Sequence, residues 1–189
     1  MIGTVFIIIG KWYGRLVPVA VLLNTFFVES DGRNTMVVCF CGHADTPDNV
    51  LIRAWLDTTI RAQVERGADL FYSGGYGSFD RMAAKALWAI KQHSRIESVL
   101  VVPYIDRKMD ASLYDETCYP PLESVPRRYA ILRRNQWMVD HSDIVIACVN
   151  HDWGGAASML SYAGRRKKEI INYFGQREGI NNALSRDKQ

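Results

Sequence analysis

Two segments of this chain carry residues whose types and spacing suit the binding of a phosphate. The first is Ser73-Gly74-Gly75-Tyr76-Gly77-Ser78-Phe79-Asp80, which follows the short apolar run 69–72 and leads into a helix-like run over 81–93. Glycines let the backbone turn tightly and approach a ligand without a Cβ in the way. The helix that follows directs its unpaired N–H groups and the positive end of its dipole into that turn. Together these make an anion site. The second segment, Trp153-Gly154-Gly155-Ala156-Ala157-Ser158, has the same strand-to-helix setting. The dinucleotide fingerprint G-x-G-x-x-G is absent from both. Around these turns stand groups with further chemistry. Asp80 suits either the dipole of its own helix or a ribose hydroxyl. His43, in the segment Gly42-His43-Ala44-Asp45, suits local hydrogen bonding, ligand contact or general-base work. Arg134 and Asn135 offer charge and hydrogen bonds. Tyr76, Tyr104 and Trp153 offer ring faces for a base or cover for the core.

The elements that must position these groups follow from periodicity. Residues 36–41 form a continuous apolar run, suited to a strand buried on both faces. Thr46 is placed to cap the next helix, with Pro47 at its first position. Ile52, Leu56, Ile60 and Val64 then recur every four residues as a helical stripe. Further strands are expected over 69–72, 98–102, 144–149 and 169–173, and further helices over 81–93, 129–140 and 156–167. Residues 104–128 have little periodicity and contain Pro120, Pro121 and Pro126, which predicts a long binding loop or lid. Alternating strands and helices give an α/β fold, a Rossmann-like three-layer αβα sandwich with a mainly parallel sheet. In such a sheet ligands bind outside the carboxyl ends of the strands. The glycines, carboxylates, histidine and hydroxyls gather at that edge, whereas ordinary turns such as Arg66-Gly67-Ala68 fall at the other.

Composition sets the broad class. At 48% hydrophobic and 23% charged residues, the 189-residue chain reads as an ordinary globular protein with room for a substantial core. A net charge of +3 does not by itself demand nucleic acid. The positive charge is uneven: Arg127, Arg128, Arg133 and Arg134 cluster, and residues 165–168 form a second basic run. Cys39, Cys41, Cys118 and Cys148 show neither CxxC nor zinc spacing and read as buried thiols of a reducing, cytoplasmic compartment, with no metal site. The expected organisation is an N-terminal extension over 1–35, one domain over 36–175, and a C-terminal tail over 176–189 with a short helix near 179–184. The extension reads as a segment before a start at Met36, as an added strand or helix, or as a leader. Its apolar run 16–28 falls short of the roughly 20 residues a membrane span needs.

As a set, these motifs resemble the SLOG superfamily, whose name joins the Smf/DprA proteins and the LOG phosphoribohydrolases, and within it the YpsA-like branch. Cys41-Gly42-His43 resembles the T-G-H opening of that branch. Ser73 to Asp80 followed by Ala83-Ala84-Lys85-Ala86-Leu87 resembles the S-G-x-x-x-G-x-D…A-x-x-A-L element of the DprA branch. Arg134-Asn135 followed by Ser142-Asp143 matches a shared R-N/R-K…S-D pattern, and Gly154-Gly155-Ala156-Ala157-Ser158 lies where LOG enzymes carry P-G-G-x-G-T-x-x-E. The likeness runs from Met36 to about Tyr173. It implies a Rossmann-like domain that binds a nucleotide or nucleotide-derived ligand (ADP-ribose, NAD or a nucleoside monophosphate), acting as a sensor or regulatory protein, with a homodimer as the assembly. Its phosphate would sit at 74–77 or 154–156, with Gly42, His43, Ser73, Gly74, Gly75, Gly77, Asp80, Arg134, Asn135, Gly154, Gly155 and Ala156 as contacts. The alternatives are a LOG-like nucleotide phosphoribohydrolase and a single-stranded DNA-binding protein of DprA type. The LOG pattern is broken at its end. Ser161 stands where the hydrolytic glutamate would be, Trp153 replaces the proline and Ala157 the loop's second glycine, so no catalytic residue is assigned.

Overall fold

A computed structural model describes residues 8–12, 15–19 and 35–175. The chain divides into two compact units, one ending at Asn34 and the other starting at Thr35. In the first, β1 (Ile8–Trp12) and β2 (Arg15–Val19) pair as an antiparallel hairpin. The tail 176–189, with its expected short helix, lies outside the described residues, as does most of 1–34.

The second unit holds a six-stranded sheet. In chain order its elements are β3 (Met36–Gly42), α1 (Val50–Glu65), β4 (Ala68–Ser73), α2 (Gly77–Lys91), β5 (Glu97–Val101), β6 (Glu116–Cys118), α3 (Ala130–Asp140), β7 (Ile144–Cys148), α4 (Gly154–Arg165) and β8 (Glu169–Asn172). The strands lie in the order β6-β5-β4-β3-β7-β8, and every pairing is parallel. Alternate side chains of β3 feed two core layers. Val38 and Phe40 pack with Phe71, with Ile52, Leu56 and Ile60 of α1, and with Phe79 and Leu87 of α2. Cys39 and Cys41 pack with Val101 and Val145, with Met138 of α3, and with Met159 and Ala163 of α4. Covering both faces is why the central strands read as unbroken apolar runs; all five residues of β7 are buried. The fold is the expected three-layer α/β sandwich. No helix among the described residues is long and apolar enough to cross a membrane.

The element boundaries differ from expectation in instructive places. The cap of α1 is Asn49, whose side-chain oxygen accepts from Ile52 N at 3.0 Å. Thr46 instead turns back and donates to the His43 carbonyl at 2.7 Å. Helices α2 and α4 begin at their glycines, Gly77 and Gly154, so both glycine turns are partly first helical turns. Within the expected loop 104–128 lies β6, and a 3₁₀ turn, Arg127–Tyr129, leads into α3. Strand β6 is only three residues long and has no apolar pattern. It is held on β5 by backbone pairing and by Asp115, whose carboxylate accepts from Ser98 N and Oγ, both at 2.9 Å.

Candidate functional site

The strand order reverses at β3, with β4 to β6 on one side and β7 and β8 on the other. At such a switch point the connections leave to opposite faces and open a crevice at the carboxyl edge. A cleft of about 300 Å³ lies there. Of the expected contacts, Gly42, His43, Gly74, Asp80, Arg134, Asn135, Gly154, Gly155 and Ala156 line it. Ser73, Gly75 and Gly77 do not. Ser73 is fully buried, with its hydroxyl 3.1 Å from Tyr114 Oη. A Cβ on Gly75 would meet Leu100 and Met109, and one on Gly77 would strike Ala44. These three shape the wall from behind.

The two helix N-termini at this edge are not equivalent. That of α2 is already stitched to its surroundings. Ser78 N donates to Ala44 O at 2.9 Å, the Ser78 hydroxyl reaches the carbonyls of Ala44 and Thr46, and Tyr76 N donates to Asp80 Oδ2 at 2.8 Å. That of α4 is open. Its N-cap, Trp153, makes no side-chain capping bond, Gly154 has φ +88°, and a Cβ on Gly154 or Gly155 would meet no atom within 4 Å. Cys41 Sγ fixes this terminus from below by donating to Ala156 O at 3.2 Å.

The cleft also holds two buried ionisable groups, Arg134 and Asp80. Arg134 is 2% exposed, and its Nη1 donates to the carbonyls of Gly74 (2.7 Å) and Val101 (2.5 Å), with Nε on Asn135 Oδ1 (2.9 Å). Its guanidinium occupies the place a Gly74 side chain would take. The arginine expected to carry charge to a phosphate is thus chiefly a bolt between the ends of β4 and β5. Burial pushes the Asp80 carboxyl up to about 6, against the opposing pull of Arg134 and the Tyr76 N–H. A carboxyl raised in the fold contributes stability that is complete below its ordinary 3.8 and is lost as pH climbs through about 6. Asp80→Asn is therefore expected to remove about 3 kcal/mol of this pH-dependent loss, read from urea melts at about pH 4 and pH 8. Parallel stability profiles for the two proteins would contradict it.

Of the third wall, sequence reasoning named His43 and Trp153 but missed His151, which joins them. His43 stacks on His151 with centroids 3.5 Å apart, and His151 stacks on Trp153 at 3.8 Å. Burial, then the neighbouring His151, hold the His43 imidazole below its ordinary range, with Asp45 opposing. The signal lay in the register, since Gly42 pairs with Cys148, which brings the segments following each strand face to face. Tyr76 lies between the guanidinium groups of Arg134 and Arg107, at 5.4 and 5.8 Å from its ring centre. Tyr104 is engaged elsewhere, beneath Arg127 at 4.6 Å and donating to the Arg127 carbonyl. Among the described residues, three buried side-chain polar atoms lack a partner, and two of them, His43 Nε2 and Tyr76 Oη, belong to residues of this cleft. Ser161 is not part of it. Its hydroxyl accepts from Arg165 Nη1 at 2.8 Å and borders a wider hollow of about 1000 Å³ beside Asn172 and Phe174.

No family model matches the sequence, and no curated protein does either. Solved structures do share the fold. The X-ray structure of TM1055, a structural-genomics target, superposes with a TM-score of 0.53 at 13% identity, covering 72% of each chain. DNA processing protein A (DprA) from Streptococcus pneumoniae gives 0.55 at 14% identity over 73% of this chain and 50% of that one, so the present chain spans half of its length. The molybdenum cofactor binding protein from the phototrophic bacterium Rippkaea orientalis gives 0.55 at 17% identity over 79% and 84%. The parallel sheet, its strand order and the helices on both faces give this chain the Rossmann-like α/β fold that these structures share.

Proposed function

We propose that the cleft binds a nucleotide or nucleotide-derived ligand of nucleoside monophosphate, ADP-ribose or NAD type, with a phosphate on the 154–156 turn, and that the protein acts as a sensor or carrier of that ligand. The contrast between the two helix N-termini carries this reading. Of the two turns that the sequence offered, 74–77 is occupied by the protein's own backbone and carboxylate, and 154–156 is open beside an aromatic stack. Backbone N–H groups and the helix dipole supply the anion site, and the Trp153 indole, 67% exposed, offers a face for a base. At about 300 Å³ the cleft is at the small end of ligand sites, so a ligand of dinucleotide size would extend beyond it. A molybdenum cofactor binding protein from Rippkaea orientalis shares this fold, which supports small-molecule binding here and adds that cofactor to the screen. We further propose a YpsA-like affiliation from Cys41-Gly42-His43, a 36–175 functional domain, a homodimer, and a reducing cytoplasmic setting suited to four free thiols.

The test is calorimetric titration with AMP, ADP-ribose, NAD and the molybdenum cofactor. Gly155→Leu places a side chain in open space at a position without positive φ, so its folding stability is expected to stay within about 0.5 kcal/mol of the parent. Binding is expected to fall at least about tenfold, which is 1.4 kcal/mol. Unchanged affinity in that variant would remove the phosphate from 154–156.

A hydrolase of the same ligand class is the second reading. It is favoured by Asp80, a cleft carboxyl raised to about 6 and so near the range of a general acid. It predicts turnover lost in Asp80→Asn with binding retained. The DNA reading is weakened at one member of the arginine cluster, Arg134, while Arg127, Arg128 and Arg133 remain exposed. Arg134 is buried, Arg127 is paired with Asp106 at 2.7 Å, and Arg128 lies over the Tyr129 ring.

A further inference from the structure

We propose that anion binding in this cleft takes up one proton from solvent, at His43 Nε2. The inference rests on the cleft being an anion site, and it adds how pH regulates that site. His43 stands just past β3 and is 9% exposed, and its Nε2 is buried and without a partner while the residue lines the cleft. One ring face is covered by His151, with the planes 22° apart, and His151 is covered in turn by Trp153. The His151 orientation is fixed, because its Nδ1–H donates to the Trp153 carbonyl at 3.1 Å.

The charges around His43 can be enumerated by element. Its own loop supplies Asp45, which favours a proton, and the loop after β7 supplies His151, which disfavours it, followed by Asp152. Asp80 of α2 and Arg134 of α3 also line the cleft; the carboxyl, raised to about 6, offsets the guanidinium above that pH and is neutral below it. The N-terminus of α4 adds positive potential. Burial and the stacked imidazole therefore disfavour a proton on His43 in the absence of an anion. An anion on 154–156 reverses the sign of the local field. A neutral ring with its proton on Nδ1 leaves an unshared lone pair on Nε2 of this cleft residue. Protonation converts that lone pair into a donor, which satisfies the orphan atom and stabilises the anion. His43 thus has a higher pKa in the complex than without the anion. Binding tightens as pH falls through the value in the complex and levels off below the value of the unliganded protein, by about tenfold for each unit between them.

The experiment is calorimetric titration with ADP-ribose and with inorganic sulfate, neither of which changes charge between about pH 5 and 8, in buffers of different ionisation enthalpy. The expected result is uptake of about half a proton in the middle of that range and affinity about tenfold higher at its acid end. His43→Phe keeps a ring in the stack and is expected to abolish the uptake. Should that variant fail to fold, NMR titration of the wild-type imidazole resonances, of which the chain has only four, decides: His43 must titrate higher with ADP-ribose present. Binding without uptake or pH dependence overturns this inference and leaves the binding site standing, as does uptake that persists in His43→Phe or an unmoved His43 titration. No binding of either probe at any pH overturns both.

Discussion

Arg134→Ala is expected to cost about 3–5 kcal/mol of folding stability, the range for breaking a buried charge arrangement by removing one partner. Three consequences combine. The carbonyls of Gly74 and Val101 lose a donor that reaches them at 2.7 and 2.5 Å in a region closed to water. Asp80, fully buried, loses the one cation that opposes the cost of its burial. A void opens against Gly74, which has no side chain to relax into it. Because Asp80 can answer by taking a proton, the loss should be smaller at about pH 5 than at about pH 8. Arg134→Lys should recover little of it, since an ammonium cannot reproduce a planar fork that serves two carbonyls and Asn135 together. Urea denaturation of the three proteins measures this, and a loss under about 1 kcal/mol, typical of a surface ion pair, would show that the arginine is not the bolt described here.

Gly77→Ala is the second large effect, with an expected loss of about 3 kcal/mol and the disappearance of ligand binding. Gly77 has φ +91°, and a Cβ there would lie 2.3 Å from Ala44 Cα, a backbone atom with no rotamer to yield. Relief requires moving the 43–46 segment, which carries His43 and accepts the Ser78 N–H that closes the α2 terminus. The stack of His43 on His151 would separate with it. Gly155→Ala provides the contrast, being expected to be neutral or slightly stabilising, because its Cβ meets nothing and alanine is the better helix former. Thermal melts of the two variants, followed by titration with ADP-ribose, test the pair. Equal melting temperatures would show that the α2 turn tolerates displacement and that the cleft does not depend on it.

Most of the scaffold was legible in the sequence. The apolar runs at 36–41 and 144–149 and the stripe Ile52, Leu56, Ile60 encode burial on both faces of a strand and on one face of a helix, periodicities that need only a few adjacent residues to express themselves. The gathering of polar and glycine-rich segments at one sheet edge follows from the same local order. Helix starts were less legible, because α2 and α4 begin with glycines that carry no helical signal and are helical through what surrounds them. Strand β6 escaped notice because three residues without a pattern become a strand only against β5. The order of the sheet, the burial of Arg134 and the meeting of His43 with His151 were decided by the tertiary structure alone. Arg134 reads from its helix as a cation for a ligand and becomes a bolt through a carbonyl sixty residues away in sequence. His151 gains its role from the parallel register of β3 and β7. Sequence periodicity fixes which side of an element is apolar; only the packing of distant elements decides which polar group is shut away from water, and with it the chemistry that group can do.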